Sequence, residues 1–116
     1  MNLDKILKDH KLWIDTEGIE GERADLSGVD LFYENLSEEI LSGANLSGAF
    51  LKCADLSYAN LSGADLSGAN LKDANLSYAN LSKTHFFGAY LMGADFSGTN
   101  LSEANLIGAN LEGVKK

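Results

Sequence analysis

The chain has 116 residues, the size of one small domain; Leu, Ala, Ser, Asn and Gly make up more than half of it, and Pro is absent. Its formal charge of −8 (17 acidic against 9 basic side chains) leaves too few cations for sequence-independent nucleic-acid binding or a polybasic membrane surface. A single cysteine, Cys53, excludes an internal disulfide and fits a reducing, cytoplasmic compartment; there is no long apolar run and no basic-then-apolar leader at the N-terminus.

The first predicted element is an amphipathic helix over residues 3–16. Leu3, Ile6, Leu7, His10, Trp13 and Ile14 follow the i, i+3/i+4, i+7 spacing of one buried face. Asn2 is its expected N-cap and Gly18 its stop. Asp4–Lys8 and Lys5–Asp9 are expected pairs on the wet face. Trp13 is the expected plug of whatever the helix covers, and His10 is read as a packing residue beside it.

From Leu26 to Leu111 an apolar residue falls at every fifth position without a gap, 16 Leu and 2 Phe in all. All 13 Ala residues lie two positions before such a centre, and all 11 Ser residues lie one after it. Asn or Asp precedes the centre in 14 of 18 units, and Gly follows two later in 10 of 18. The idealised unit is Ala64-Asp65-Leu66-Ser67-Gly68. A period of five scatters Leu around an α-helix and alternates it across a strand. It suits a solenoid that turns a corner once per unit, with the large and the small apolar residue both pointing inward.

This pattern resembles the pentapeptide repeat family, whose motif is A-(D/N)-L-x-x, over residues 24–113. The resemblance implies an all-β fold: a right-handed quadrilateral parallel β-helix of 20 residues per coil, here about 4.5 coils. The segment Leu3–Arg23 resembles an N-terminal helical cap found before many such arrays. The expected division is therefore residues 1–23 as cap and entry loop, 24–113 as repeat and 114–116 as tail, in one structural unit.

Residues 20 apart then stack in columns. The column Gly28, Gly48, Gly68, Gly88, Gly108 suggests turns that need a positive φ. The Asn and Asp columns are expected to satisfy backbone groups and to ladder with one another. Tyr58 and Tyr78 are expected to stack. Glu34 and Glu39 occupy inward slots, so either the first coil is distorted and they reach water, or they pair with Arg23 or Lys11. The face centred on Leu31, Leu51, Leu71, Leu91 and Leu111 carries Phe32, Phe50, Lys52, Lys72, Tyr90 and Met92 where other faces carry Ser and Asn. With His85, Phe87 and Ile107 beside them, these form the candidate protein-contact face. Leu101, Leu106 and Leu111 approach Lys116 without a second helix to cover them, and are the candidate end for a homodimer.

No nucleophile–base pair, zinc-ligand cluster, calcium loop or phosphate-binding glycine motif is present in the sequence, so neither a catalytic site nor a cofactor is expected. Two functions remain. One is a non-catalytic scaffold for an unknown protein partner. The other is implied by the resemblance: some family members mimic duplex DNA and bind DNA gyrase or related type II topoisomerases. Residues 26–116 carry ten acids and five bases, and residues 1–25 seven and four, so the acidity is diffuse.

Overall fold

The computed structural model describes all 116 residues. One helix, α1 (Leu3–Asp15), precedes a coil that climbs to the C-terminus. Parallel bridges join residues 20 apart, from Asp25↔Asn45 to Asp95↔Lys115. Each coil therefore has four units, and the pairing runs on through Lys115.

The repeat follows from where its five backbone N–H groups go, since a buried one without a partner is costly. In a typical unit the Leu26 N–H donates to Asn45 O one coil up (2.7 Å), and Gly28 N–H to Ser47 O (2.9 Å). Asn45 N–H donates one coil down to Ala24 O (3.0 Å), and Ala44 N–H closes the corner onto Leu41 O (3.0 Å). The fifth donor, the N–H after the centre, has no backbone partner. It is taken by the Asn or Asp two residues earlier, as in Ser47 N–H to Asn45 Oδ1 (3.0 Å). The Asn and Asp columns thus serve their own corners, an Asx-turn at each, and their carboxamides do not ladder with one another.

Every corner places its third residue at positive φ, not the glycine column alone. Gly68 has φ +66°, but so do Tyr58 at +60°, Lys83 at +58° and Glu103 at +58°. A non-glycine residue there costs on the order of 1–2 kcal/mol, and the inter-coil bonds of each unit outweigh it. Inside, the centres from Leu26 to Leu91 and the Ala residues beside them form one buried cluster. Phe86 and Phe96 meet edge to face at 6.2 Å within it. Thr84 replaces an inward Ala and is fully buried, its hydroxyl donating to Leu61 O (2.8 Å).

Asn2 Oδ1 accepts the Lys5 N–H (3.1 Å), and α1 ends at Thr16, with Glu17 at φ +54° and Gly18 at +88°. The exposed pairs are Lys5–Asp9 (2.6 Å) and Lys11–Asp15 (2.7 Å) rather than Asp4–Lys8. Leu3, Ile6 and Leu7 pack against the core cluster. The residue sealed between α1 and the first coil is His10, fully buried, not Trp13, which is half-buried with its ring beside Gly43. At Glu34 and Glu39 the coil is regular: each N–H closes its corner and each carbonyl accepts from the next coil. Glu34 stands exposed and Glu39 is half-buried at the groove between α1 and the coil, so the backbone needs no distortion and neither acid is paired. Lys11 is bound to Asp15, and Arg23 donates to the Gly43 carbonyl.

Candidate interaction surface

The backbone accounting singles out certain surface residues. Four of the 18 units lack Asn or Asp before the centre: those with Ile40, Phe50, His85 and Tyr90. There the N–H groups of Ser42, Lys52, Phe87 and Met92 lack the Asx bond made elsewhere. Three of the four breaks, at Phe50, His85 and Tyr90, hold large ring side chains that stand exposed. A local hydrogen bond worth about 1 kcal/mol is given up at each.

These residues do not form one continuous patch. Phe50, Asn70 and Tyr90 are successive rungs of one column, so Asn70 separates the two rings by a full coil. Toward α1, Phe32 and Phe50 meet with ring centroids 6.0 Å apart. Toward the C-terminus, Phe87, Tyr90 and Ile107 are exposed, and Met92 is half-buried. Phe87 and Ile107 are 20 residues apart and so share a column, and His85 lies two residues before Phe87 in the same unit. Lys52 is half-buried and Lys72 exposed, the latter on the coil between the two clusters.

Other large surface residues have neighbours that explain them. Tyr58 and Tyr78 stack with centroids 5.1 Å apart, and the Tyr78 ring continues over Gly98, where a Cβ would lie 2.5 Å from it. Asp73 covers Gly93 in the same way. Side chains at these corners lean toward the next coil. Tyr33 leans on Cys53, and its contact with the thiol raises the phenol above its usual range. Asp25 and Asp95 lie below the usual carboxylate range because their Ser27 and Ser97 partners bond the anion.

The two ends differ. At the C-terminal end Leu101, Leu106 and Leu111 come together with Phe96, Thr99 and Val114 around an open apolar hollow of about 430 Å³. Leu101 and Leu111 are 38% and 40% exposed, against 0% for Leu66 in mid-stack. The N–H groups of Leu101, Glu103, Leu106 and Leu111 have no inter-coil acceptor. Chemically, the surface offers apolar and aromatic contact and an open backbone edge. Cys53 sits at a corner beside Tyr33, His10 lies in α1 and His85 in the array, and no three His, Cys, Asp or Glu side chains gather as a metal site.

The family model for pentapeptide repeats matches the chain in 8 copies over residues 24–57, 54–93 and 79–115. The chain belongs to the pentapeptide repeat family. Among solved structures it resembles a pentapeptide repeat protein from the cyanobacterium Cyanothece 51142, with 35% identity, a TM-score of 0.80, and coverage of 84% of this chain and 67% of that one. A pentapeptide repeat protein of the Arabidopsis thaliana thylakoid lumen matches at 39% identity and TM-score 0.72, over 74% of this chain and 60% of its own length. A third, from Nostoc PCC 7120, matches at 36% identity and TM-score 0.51, over 90% of this chain and 73% of that one. No curated protein matches the sequence. These relatives make the solenoid a right-handed β-helix of the pentapeptide repeat kind. No helix of the protein is long and apolar enough to cross a membrane.

Proposed function

We propose that this pentapeptide repeat protein is a non-catalytic, cytoplasmic scaffold of about 4.5 coils, capped by α1, that binds a protein partner through its exposed ring residues. The observation that carries the reading is the sacrifice of Asx bonds at Phe50, His85 and Tyr90. Residues that break a local rule at a cost, without a core contact in return, mark contact surfaces. The cluster of Phe87, Tyr90, Met92 and Ile107 is the stronger of the two, with Phe32 and Phe50 as a second anchor point.

The test is comparative affinity capture with the parent chain and a variant returned to the repeat consensus, Phe87→Ser with Tyr90→Asn. The reading predicts a partner that the parent retains and the variant loses, with the variant melting at or above the parent. Equal retention by both refutes this surface. The open C-terminal end supports a homodimer, in which Leu101, Leu106 and Leu111 of two copies cover one another. Light scattering at high micromolar concentration tests it, and a strict monomer contradicts it.

The diffuse charge of −8 supports the alternative of a DNA mimic acting on gyrase or a related type II topoisomerase. A supercoiling assay separates it from the scaffold: inhibition or protection at tens of micromolar supports mimicry, and no effect removes it.

A further inference from the structure

The junction between α1 and the first coil is built around one imidazole. Within the array, a corner N–H bonds a leucine carbonyl three residues back, and the N–H before it bonds a serine carbonyl one coil up. At the first coil both arrangements fail. Ala24 has Gly21 rather than a leucine three residues before it, and its N–H instead donates to His10 Nδ1 (2.9 Å). The Ser42 carbonyl, left free by Arg23, accepts from His10 Nε2 (2.8 Å). The buried ring thus replaces one corner bond and one inter-coil bond.

This geometry fixes the protonation state. Nδ1 accepts, so the ring is neutral with its proton on Nε2. A second proton would sit on Nδ1 and point at the Ala24 N–H, turning a bond into two opposed donors. No carboxylate bonds the ring to compensate.

We propose that His10 is a pH-sensitive latch: neutral, it holds α1 on the first coil; protonated, it releases α1 and uncovers the backbone edge beneath. The entry loop supplies a hinge, with Glu17, Gly18 and Gly21 all at positive φ. Gly21 is pressed against the Asp9 carbonyl and the Trp13 N–H, so loop and helix move together.

The charged groups around the junction act as follows. Arg23, on the coil side, disfavours a second cation nearby. Asp9, Glu22 and Asp25 border the adjoining hollow with Arg23, and Asp9 is held by Lys5. Asp4, Lys8, Lys11, Glu38 and Glu39 border a second groove between α1 and the coil. Burial holds the His10 imidazolium below its usual range; the Ser42 carbonyl opposes this and Arg23 adds to it.

A histidine lowered on docking contributes attachment that is complete above the free value of about 6.5. That attachment is lost as pH falls through the lowered value. Glu39 has the opposite sign. Burial, then the Asp4 carboxylate, raises it, so its protonation on acidification strengthens the folded form. Asp25, being lowered, acts only below the ordinary carboxylate range. A loss of docking between pH 7.5 and 5 therefore belongs to His10.

The experiment is amide hydrogen exchange on the full chain, corrected for intrinsic rates, alongside a ¹⁵N titration of the imidazoles. The expected result is that protection of α1 and of the Ala24 amide falls by up to about tenfold per pH unit, with its midpoint at the His10 titration, while Leu66 is unchanged. His10→Gln should abolish the loss of α1 protection on acidification, and His85→Gln should leave the transition in place. Constant protection of α1 in the parent, or a transition that persists in His10→Gln, overturns the proposal. So does a His10 ring found with its proton on Nδ1 at pH 7.5.

Discussion

Each residue of the unit answers one local demand. Leu and Ala fill the interior, Asn or Asp takes the N–H that the backbone leaves over, and the third corner residue bears a positive φ. Glycine at that corner has two separable roles. A Cβ at Gly68 meets nothing within 4 Å, so only the φ of +66° matters there. A Cβ at Gly98 would meet the Tyr78 ring at 2.5 Å. Gly68→Ala should therefore cost about 1–2 kcal/mol. Gly98→Ala should cost at least about 1 kcal/mol more, because the Tyr58–Tyr78 stack must shift. Denaturant melts of the two variants check this, and equal midpoints would contradict it. Leu66→Ala, in mid-stack, should cost about 2–5 kcal/mol. Leu111→Ala, at the open end and 40% exposed, should cost well under half of that.

At the scale of elements, the coil was legible in the sequence and the junction with α1 was not. A period of five fixes which residues point inward, and counting by 20 fixes the columns, so the core, the Tyr58–Tyr78 stack and the C-terminal leucine cluster could all be read from spacing. The helix itself was equally plain from its apolar face. What it does at the first coil was not, because hydrophobicity singles out Trp13 as the plug. The exposed coil end presents an N–H and a carbonyl as well as apolar surface, and a side chain with both a donor and an acceptor satisfies them, which Trp13 cannot do. One signal was available: Gly21 stands where the repeat would have a leucine, which leaves Ala24 in need of an acceptor. Glu34 and Glu39 were misjudged for a related reason. Their slots are interior in a long array, but in its first coil Glu34 is exposed and Glu39 only half-buried.

At the scale of the molecule, the protein is a diffusely acidic right-handed β-helix whose sides differ in what they display. The residues of the candidate face were visible in the sequence, but their separation into two clusters was not. Grouping by face hides the coil index, which puts Asn70 between Phe50 and Tyr90. The central claim is that His85 and Tyr90 are displayed at the expense of local bonding and do not hold neighbouring coils together. The most direct measurement is the denaturant melt of His85→Asn with Tyr90→Asn, which returns both rungs to the consensus and re-caps the Phe87 and Met92 N–H groups. The account predicts a midpoint equal to or above that of the parent, by up to about 1 kcal/mol for each restored bond. A clear drop in stability would show that the rings brace the coils, and would contradict it.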